Sequence, residues 1–294
     1  MELIDKLLVG AIDMHTHDMM IEGYRWNLIE LANKAIEAKM EGIVLKNRYG
    51  DSSEIAYLVN HLVGKEIFFG SIVLNQWVGG LNAIAVNDFM NIGTGIKIVH
   101  MPTGHALHHL KKSINGNVDK AVKLFLDGKI RPELDEILNI IAKNDLVLAT
   151  GHISPEESLL LIEAARDRGV RKILVTHASA MPVMASVEQQ KEMVKKGALI
   201  EQCMASFMPF HSIQMKQRFG IDVNYNIGKT IQDMIEVGIE NCVISTDFGQ
   251  EYNPSSVDGL RLFIRGLLNL KVSPEMIKIV VEDNPKKLLG IKES

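Results

Sequence analysis

Eight short apolar segments recur along the chain, and each is followed by a stretch with the spacing of an amphipathic helix. They span residues 8–14, 42–46, 67–74, 95–100, 146–150, 172–176, 198–202 and 242–246. Buried strands that alternate with amphipathic helices are typical of βαβ units and a parallel sheet. Eight such units predict a (β/α)8 TIM barrel, and the 294-residue length fits a single barrel domain over residues 1–294.

The segments between the strands support the same interpretation. Amphipathic stretches occupy residues 27–40, 52–63, 133–143, 155–168, 187–196 and 229–237. Ser154 before Pro155 supplies an N-cap and a first-turn proline, which indicates a helix start. Two connections, 101–132 and 178–186, are longer than a plain barrel needs, and Asp127-Gly128 in the first predicts a small hairpin. Because βα connections lie at the C-terminal face of a barrel, we expect the first insertion to form a lid there.

The composition excludes several kinds of partner. Hydrophobic residues make up 47% of the chain and charged residues 23%, which is typical of a folded globular protein. The net charge of −4 gives no basic field, so we expect no nucleic-acid partner. No apolar run approaches the ~18 residues of a membrane span, and the N-terminus does not match a secretory signal. With only Cys203 and Cys242, we expect a cytoplasmic protein with a small-molecule substrate, and homo-oligomerisation stays open.

A pair of histidines, His15 and His17, follows the first apolar segment. The period of two residues in a strand puts both imidazoles on one face, where they can share a metal ion. Taken alone, the pair is more often two polar histidines near a strand end. The residues at the ends of the other strands therefore decide between a metal site and two unrelated polar histidines.

Three later strands also end on residues that bind metals: His152 after the fifth, His177 at the end of the sixth and Asp247 after the eighth. Their spacing agrees with about 31 residues per βα unit in a barrel of ~250 residues. Because all eight strands run parallel, their C-terminal ends meet on one rim. The sequence thus predicts a metal centre made from His15, His17, His152, His177 and Asp247.

Imidazole and carboxylate ligands favour a divalent transition metal, zinc first and manganese or iron as alternatives. An open position in such a site lets the metal activate a water by lowering its pKa to ~7. Asp247 can ligate the metal or move the proton of that water, and we expect it to be the general base.

These motifs together resemble the amidohydrolase superfamily of metal-dependent hydrolases. The resemblance covers nearly the whole chain and rests on Asp13-x-His15-x-His17, the single histidines of strands five and six, Asp247, and the closing Asn284-Pro285-Lys-Lys-Leu288-Leu289-Gly290. It implies that His15, His17 and Asp247 bind a first metal. It also implies that His152 and His177 bind a second metal or orient substrate, with His177 taking part in catalysis. A closer likeness to a poorly characterised branch of the superfamily names no substrate.

One feature departs from the superfamily pattern. Two-metal members usually present a bridging carbamylated lysine or a glutamate at the end of strand four, and residues 96–103 contain neither at that place. Lys46 ends strand two and faces the same rim, so it is a candidate metal bridge as a carbamate. It is equally a candidate for binding an anionic substrate. The number of metal ions, one or two, stays open.

Further side chains are candidates for substrate contact. Asn75 and Gln76 follow strand three, Glu201 and Gln202 end strand seven, and Gln250 follows Asp247. The cluster His105, His108 and His109 lies in the long insertion, where an exposed helix face is the simpler interpretation and a lid role the alternative. Asp13 either points away from the two histidines or orients their rings as a hydrogen-bond acceptor.

The leading functional hypothesis is hydrolysis of an amide, lactone or related ester bond by a metal-activated water, with Asp247 as general base. A decarboxylase or isomerase on the same barrel is the main alternative, because neither fold nor ligands dictate which bond breaks. A phosphoesterase is also conceivable, although no strand-four glutamate or basic excess favours it. A non-catalytic binding protein is disfavoured because the ligand set is complete.

Overall fold

The computed structural model describes residues 2–18, 27–223 and 225–292. Ten strands occur in chain order, β1 to β10, with these bounds: Ile12–His17, Gly42–Lys46, Phe68–Val73, Ile96–His100, Phe125–Leu126, Lys129–Ile130, Val147–Ala149, Lys172–Val175, Leu199–Cys203 and Cys242–Ser245. Eight of them form one sheet in the order β1-β2-β3-β4-β7-β8-β9-β10, and every pair of neighbours is parallel. The predicted eight-stranded TIM barrel is confirmed.

The barrel closes between β10 and β1 just beyond the end of β10. The backbone N–H of Asp247 donates to the His15 carbonyl at 2.7 Å, and that of His17 donates to the Phe248 carbonyl at 2.7 Å. These two bonds place the residues that follow β10 directly beside the histidines of β1. Closure of the barrel and assembly of the predicted metal centre therefore depend on the same contacts.

Thirteen α-helices, α1 to α13, surround the sheet within the described ranges: Leu3–Leu8, Leu28–Glu37, Ser53–Val63, Ala83–Phe89, Leu107–Lys112, Pro132–Lys143, Pro155–Asp167, Val187–Lys195, Pro209–Phe219, Ile227–Val237, Ser256–Asn269, Pro274–Lys278 and Asn284–Leu289. All six predicted amphipathic segments contain a helix, and Ser154 caps α7 by accepting the N–H of Glu157. None of the helices in the described part of the chain is long and apolar enough to cross a membrane.

The first predicted strand has the wrong bounds. Residues 3–8 form helix α1, and β1 begins only at Ile12 after a turn at Gly10, whose φ is +79°. Leu7 and Leu8 are buried against the core as part of the helix. Their apolar character reflects packing of the helix against the core. The strand itself runs from Ile12 to His17, so it includes both histidines.

The pairing of β1 with β2 is irregular between Asp13 and Thr16, where the register shifts. A bulge inserts an extra residue and changes which side chains face the core. Ile12 and Met14 belong to the apolar cluster inside the barrel. Asp13 instead accepts hydrogen bonds from Thr16 Oγ1 at 3.0 Å and from the backbone of Thr246 at 3.0 Å. Asp13 therefore points away from the imidazoles and joins β1 to the end of β10.

Two long excursions lie above the C-terminal ends of the strands. The first, residues 101–131, contains α5 and the hairpin β5–β6, whose turn at Asp127 and Gly128 has positive φ at both residues, as the sequence predicts. The second, residues 204–226, contains α9, which the sequence interpretation missed. Pro209 in the first turn of α9 and left-handed Gly220 after it are the signals that mark this helix. The N–H of Ile114 donates to the Arg218 carbonyl at 2.9 Å and joins the two excursions.

Candidate metal centre and active-site cavity

Three predicted ligands meet at the C-terminal rim of the barrel. His15 Nε2 lies 3.1 Å from Asp247 Oδ1, and His17 Nε2 lies 2.9 Å from the same oxygen. His15 is 1% exposed, and Asp247 is 20% exposed toward the cavity above it. The three side chains form a compact group that could hold one metal ion.

The hydrogen bonds on the far side of each imidazole show which nitrogen faces the group. His17 Nδ1 lies 3.1 Å from the Lys46 carbonyl, and His15 Nδ1 lies 3.2 Å from Glu201 Oε2. A carbonyl or carboxylate oxygen only accepts, so each Nδ1 carries the proton. In a neutral imidazole the Nε2 lone pair then points at Asp247 Oδ1. Two lone pairs and a carboxylate that converge in this way can be joined by one cation, so the residues fit a metal ion.

The charges of this group perturb one another strongly. Burial alone would raise the pKa of Asp247, but His15 and His17 hold that pKa well below its usual range. Burial alone would lower the pKa of His15, yet Asp247 raises it to about 9, with a contribution from Glu201. Burial lowers the pKa of His17 to about 4. Asp247 is thus ionised, and the group as a whole favours a positive charge at His15 Nε2.

Glu201 and Gln202, both predicted to face the rim, point to opposite sides of β9. Glu201 is buried behind His15 and also accepts the N–H of His177 at 3.1 Å, so it supports the predicted ligands and lies outside the cavity lining. Gln202 donates to Ser179 Oγ at 2.8 Å and also lies outside the cavity lining. The two-residue period of a strand permits only one of two consecutive side chains to face the centre.

Lys46 ends β2 and reaches the centre of the group. Its side chain is 2% exposed, and Nζ lies 2.9 Å from His15 Nε2. Burial lowers the pKa of Lys46, against the raising effect of Asp247 and Glu201. The predicted position of Lys46 at the rim is therefore observed.

His152 and His177 form a second layer of imidazoles beside this group. Their ring centroids are 4.8 Å apart, and the ring of His177 lies 6.1 Å from that of His15. Burial lowers the pKa of His177 to about 4, so this imidazole is neutral. Within the described ranges two groups of three ligands occur, and His15 is in both, with His17 and Asp247 in one and Glu201 and Cys203 in the other. A second metal at His152 and His177 stays a prediction.

His109 is buried, although the simpler interpretation of the insertion cluster put it on an exposed helix face. Its Nδ1 lies 2.8 Å from His152 Nδ1, and the two rings stack with centroids 4.9 Å apart. His105 and His108 are only half-buried. The insertion therefore delivers one histidine, His109, to the cavity.

His100 is a residue that the sequence interpretation missed. It ends β4, is 1% exposed, and its ring lies 6.1 Å from that of His15. Within the described part of the chain neither ring nitrogen has a hydrogen-bond partner. Burial holds the pKa of His100 well below its usual value. Its position at the end of a barrel strand, like that of His177, is the signal that could have identified it.

The predicted substrate contacts separate into two sets. Asn75 and Gln76 lie outside the cavity lining. Asn75 is buried and braces the loops, because its amide donates to the Arg48 carbonyl at 3.0 Å and accepts the N–H of Thr103 at 3.0 Å. Gln250 does line the cavity, and its amide donates to the Asp247 carbonyl at 3.0 Å. Gln250 is thus the predicted contact that the geometry favours.

The cavity above these residues has a volume of about 470 Å³. Its floor is formed by His17, Lys46, His177 and Asp247, and its walls by the two excursions together with loops that follow other strands. This volume lies within the range of ~300–1,000 Å³ that small-molecule sites occupy. A small molecule that enters it reaches Asp247 and the imidazoles directly.

Several solved structures share the fold. An amidohydrolase from Pseudomonas aeruginosa aligns over 98% of this chain and 97% of its own length, with a TM-score of 0.63 and 13% identity. The probable dipeptidase PvdM from Pseudomonas aeruginosa aligns over 98% and 96%, with a TM-score of 0.62 and 11% identity. A 2,6-dihydroxybenzoate decarboxylase aligns over 96% and 98%, with a TM-score of 0.54 and 10% identity. The predicted likeness to the amidohydrolase barrel is thereby confirmed as a likeness of fold.

No curated protein sequence matches the chain. Residues 10–201 match the model of a family described as DUF6282, a family of unknown function. The matched range contains the histidines of the centre and Glu201, whereas Asp247 lies beyond it. Because the match covers well over half of the chain, the protein belongs to the DUF6282 family.

Proposed function

We propose that the protein is a metal-dependent hydrolase that cleaves an amide, lactone or related ester bond of a small molecule. The observation that carries the proposal is the approach of His15 Nε2 and His17 Nε2 to one oxygen of Asp247, at 3.1 and 2.9 Å, beneath an open cavity. The fold shared with metal-dependent hydrolases is consistent with it. We take zinc as the first candidate metal because two imidazoles and a carboxylate are typical zinc ligands.

The roles of the side chains follow from their positions. A divalent metal held by His15, His17 and Asp247 would supply a Lewis acid and lower the pKa of a water. Asp247, ionised and exposed to the cavity, accepts the proton of the attacking water and returns it to the leaving group. His177 is neutral and lines the cavity, so a ring N–H of this imidazole can donate to a substrate carbonyl oxygen. Gln250 orients the substrate from the cavity wall.

Decarboxylation is the second candidate, because a 2,6-dihydroxybenzoate decarboxylase shares the fold. Both reactions need an electrophilic centre beside a proton-transfer group, and the fold does not decide between them. Product analysis separates the two, since hydrolysis yields an acid and an alcohol or amine, whereas decarboxylation releases carbon dioxide.

The test combines metal analysis with a substrate screen. Protein purified without chelator is analysed for transition metals and then assayed, metal-loaded, on lactones, N-acyl compounds, cyclic amides and phosphate esters. We expect one or two equivalents of metal and hydrolysis of at least one carboxylic acid derivative. The variant Asp247→Asn should lose about 10²- to 10⁴-fold of that activity. Asp233→Asn, on helix α10 and paired with Lys229, is the matched control and should keep it. Absence of stoichiometric metal, or full activity of Asp247→Asn, would refute the proposal.

A further inference from the structure

The cavity above the candidate metal centre carries an excess of positive charge. Among the described residues that line it, Arg48 and Arg218 are cationic, and Asp247 is the single carboxylate. That carboxylate is already engaged with the imidazoles of His15 and His17. A concave site lined by one sign of charge concentrates ligands of the opposite sign.

The two arginines enter the cavity from different parts of the fold. Arg48 follows β2, and Arg218 lies in the last turn of α9. Both side chains line the same cavity as His109. The bond from the Ile114 N–H to the Arg218 carbonyl fixes the end of α9 above the cavity.

We propose that the cavity binds small organic anions, and that Arg48 and Arg218 recognise a carboxylate or phosphate group of the substrate away from the bond that is cleaved. The planar fork of a guanidinium matches either kind of oxyanion with two parallel hydrogen bonds. As a statement about the substrate, this inference rests on the proposed hydrolase function. As a statement about binding, it can be tested without catalysis.

The rest of the lining indicates the body of such an anion. Trp77, Met215 and Phe219 give the cavity an apolar side, and the volume of about 470 Å³ admits a molecule of a few tens of atoms at most. An aromatic or aliphatic body with one terminal anionic group satisfies both sides of the cavity.

Three non-hydrolysable probes test the inference by calorimetry on the metal-loaded protein. They are 3-phenylpropionate, 2-phenylethylphosphonate and the neutral 3-phenylpropan-1-ol. We expect at least one of the two anions to bind more tightly than the alcohol, and the tighter anion identifies carboxylate or phosphate recognition. Arg48→Gln and Arg218→Gln should each weaken anion binding by about tenfold or more. The loss of one hydrogen bond to a charged group usually lowers affinity by this factor.

Unchanged alcohol binding in both variants shows that the cavity is intact. The matched control is Arg171→Gln, because Arg171 is 75% exposed and precedes β8 at the opposite end of the barrel, where it pairs with Asp145. Equal binding of anions and alcohol, or wild-type anion affinity in both arginine variants, overturns the inference. Arginine-dependent anion binding without any hydrolysis refutes only the proposed function. Hydrolysis without arginine-dependent binding refutes only the present inference.

Discussion

Replacement of Glu201 by glutamine removes a buried charge without changing the shape of the side chain. Glu201 is 1% exposed, and its Oε2 lies 3.2 Å from His15 Nδ1. A glutamine oxygen can still accept the Nδ1 proton, so the hydrogen bond and the tautomer of His15 persist. The variant therefore isolates the effect of the negative charge on the predicted ligand.

The expected effect is a loss of metal affinity. Glu201 is one of the two carboxylates that raise the pKa of His15, the other being Asp247. Without the charge of Glu201 the imidazole is less basic and donates less electron density to a metal. Carboxylates that support a ligating histidine are worth about 10- to 100-fold in metal affinity, or roughly 1.4–2.8 kcal/mol. We expect Glu201→Gln to bind zinc more weakly by that factor.

Competition with a chromophoric chelator at constant pH measures the affinity. Gln202→Ala is the matched control, because Gln202 follows in the same strand but its amide bonds to Ser179 and Gln190 on the other side. The control should bind zinc like the wild type. If Glu201→Gln also binds zinc like the wild type, the role of Glu201 as the support of His15 is wrong, and with it our assignment of the His15 tautomer.

Two further predictions concern stability. Gly151, with φ +63°, precedes His152, and an added Cβ would lie 2.3 Å from the Met101 carbonyl oxygen, whereas Gly169, with φ +81°, has open space. We expect Gly169→Ala to lower the free energy of unfolding by about 1–2 kcal/mol from backbone strain alone. Gly151→Ala should lower it further in the same denaturant titration. Equal losses would contradict the close approach of the Met101 carbonyl to Gly151. The second prediction is a pH dependence. Burial alone would raise the pKa of Glu201, but His15 lowers it from 4.5 to about 2. Ionised Glu201 thus stabilises the fold above pH 4.5, and this stabilisation is lost as the pH falls from 4.5 towards 2. The stability difference between metal-free wild type and Glu201→Gln should shrink across that window, and a constant difference would contradict the pairing.

The parts of the structure that the sequence predicts well are those that depend on local periodicity. Eight apolar segments predict eight strands, and the parallel order of a barrel then brings His15, His17 and Asp247 to one rim from the first and last strands of the sheet. The start of β1 is predicted wrongly because Leu8 is apolar as part of helix α1, and a short apolar run does not distinguish a buried helix segment from a buried strand.

The direction of individual side chains is the part that the sequence predicts poorly. Glu201 and Gln202 look alike as rim candidates, and only the register of β9 separates them. Asn75 follows a strand as a substrate-binding residue would, yet its amide is consumed by backbone groups of two loops. Such roles depend on contacts between distant segments, so no local pattern carries them.

The chemistry of the strand-four position bears on the number of metals. A carboxylate or carbamate has two oxygens and can bridge two ions, whereas the His100 imidazole at the end of β4 offers one lone pair from a neutral ring. Within the described part of the chain, Lys46 is the side chain beside His15 that could become such a bridge as a carbamate, and burial favours the neutral amine that this reaction needs. We therefore expect one metal ion per chain in protein whose intact mass shows an unmodified Lys46. A bridged pair would instead show an intact mass larger by one carbon dioxide and two metal equivalents per chain. In Lys46→Met, both the added mass and one of the two metal equivalents would then be lost. Two equivalents bound to unmodified protein would refute the reasoning, because the rim would then hold two ions without a carbamate at Lys46.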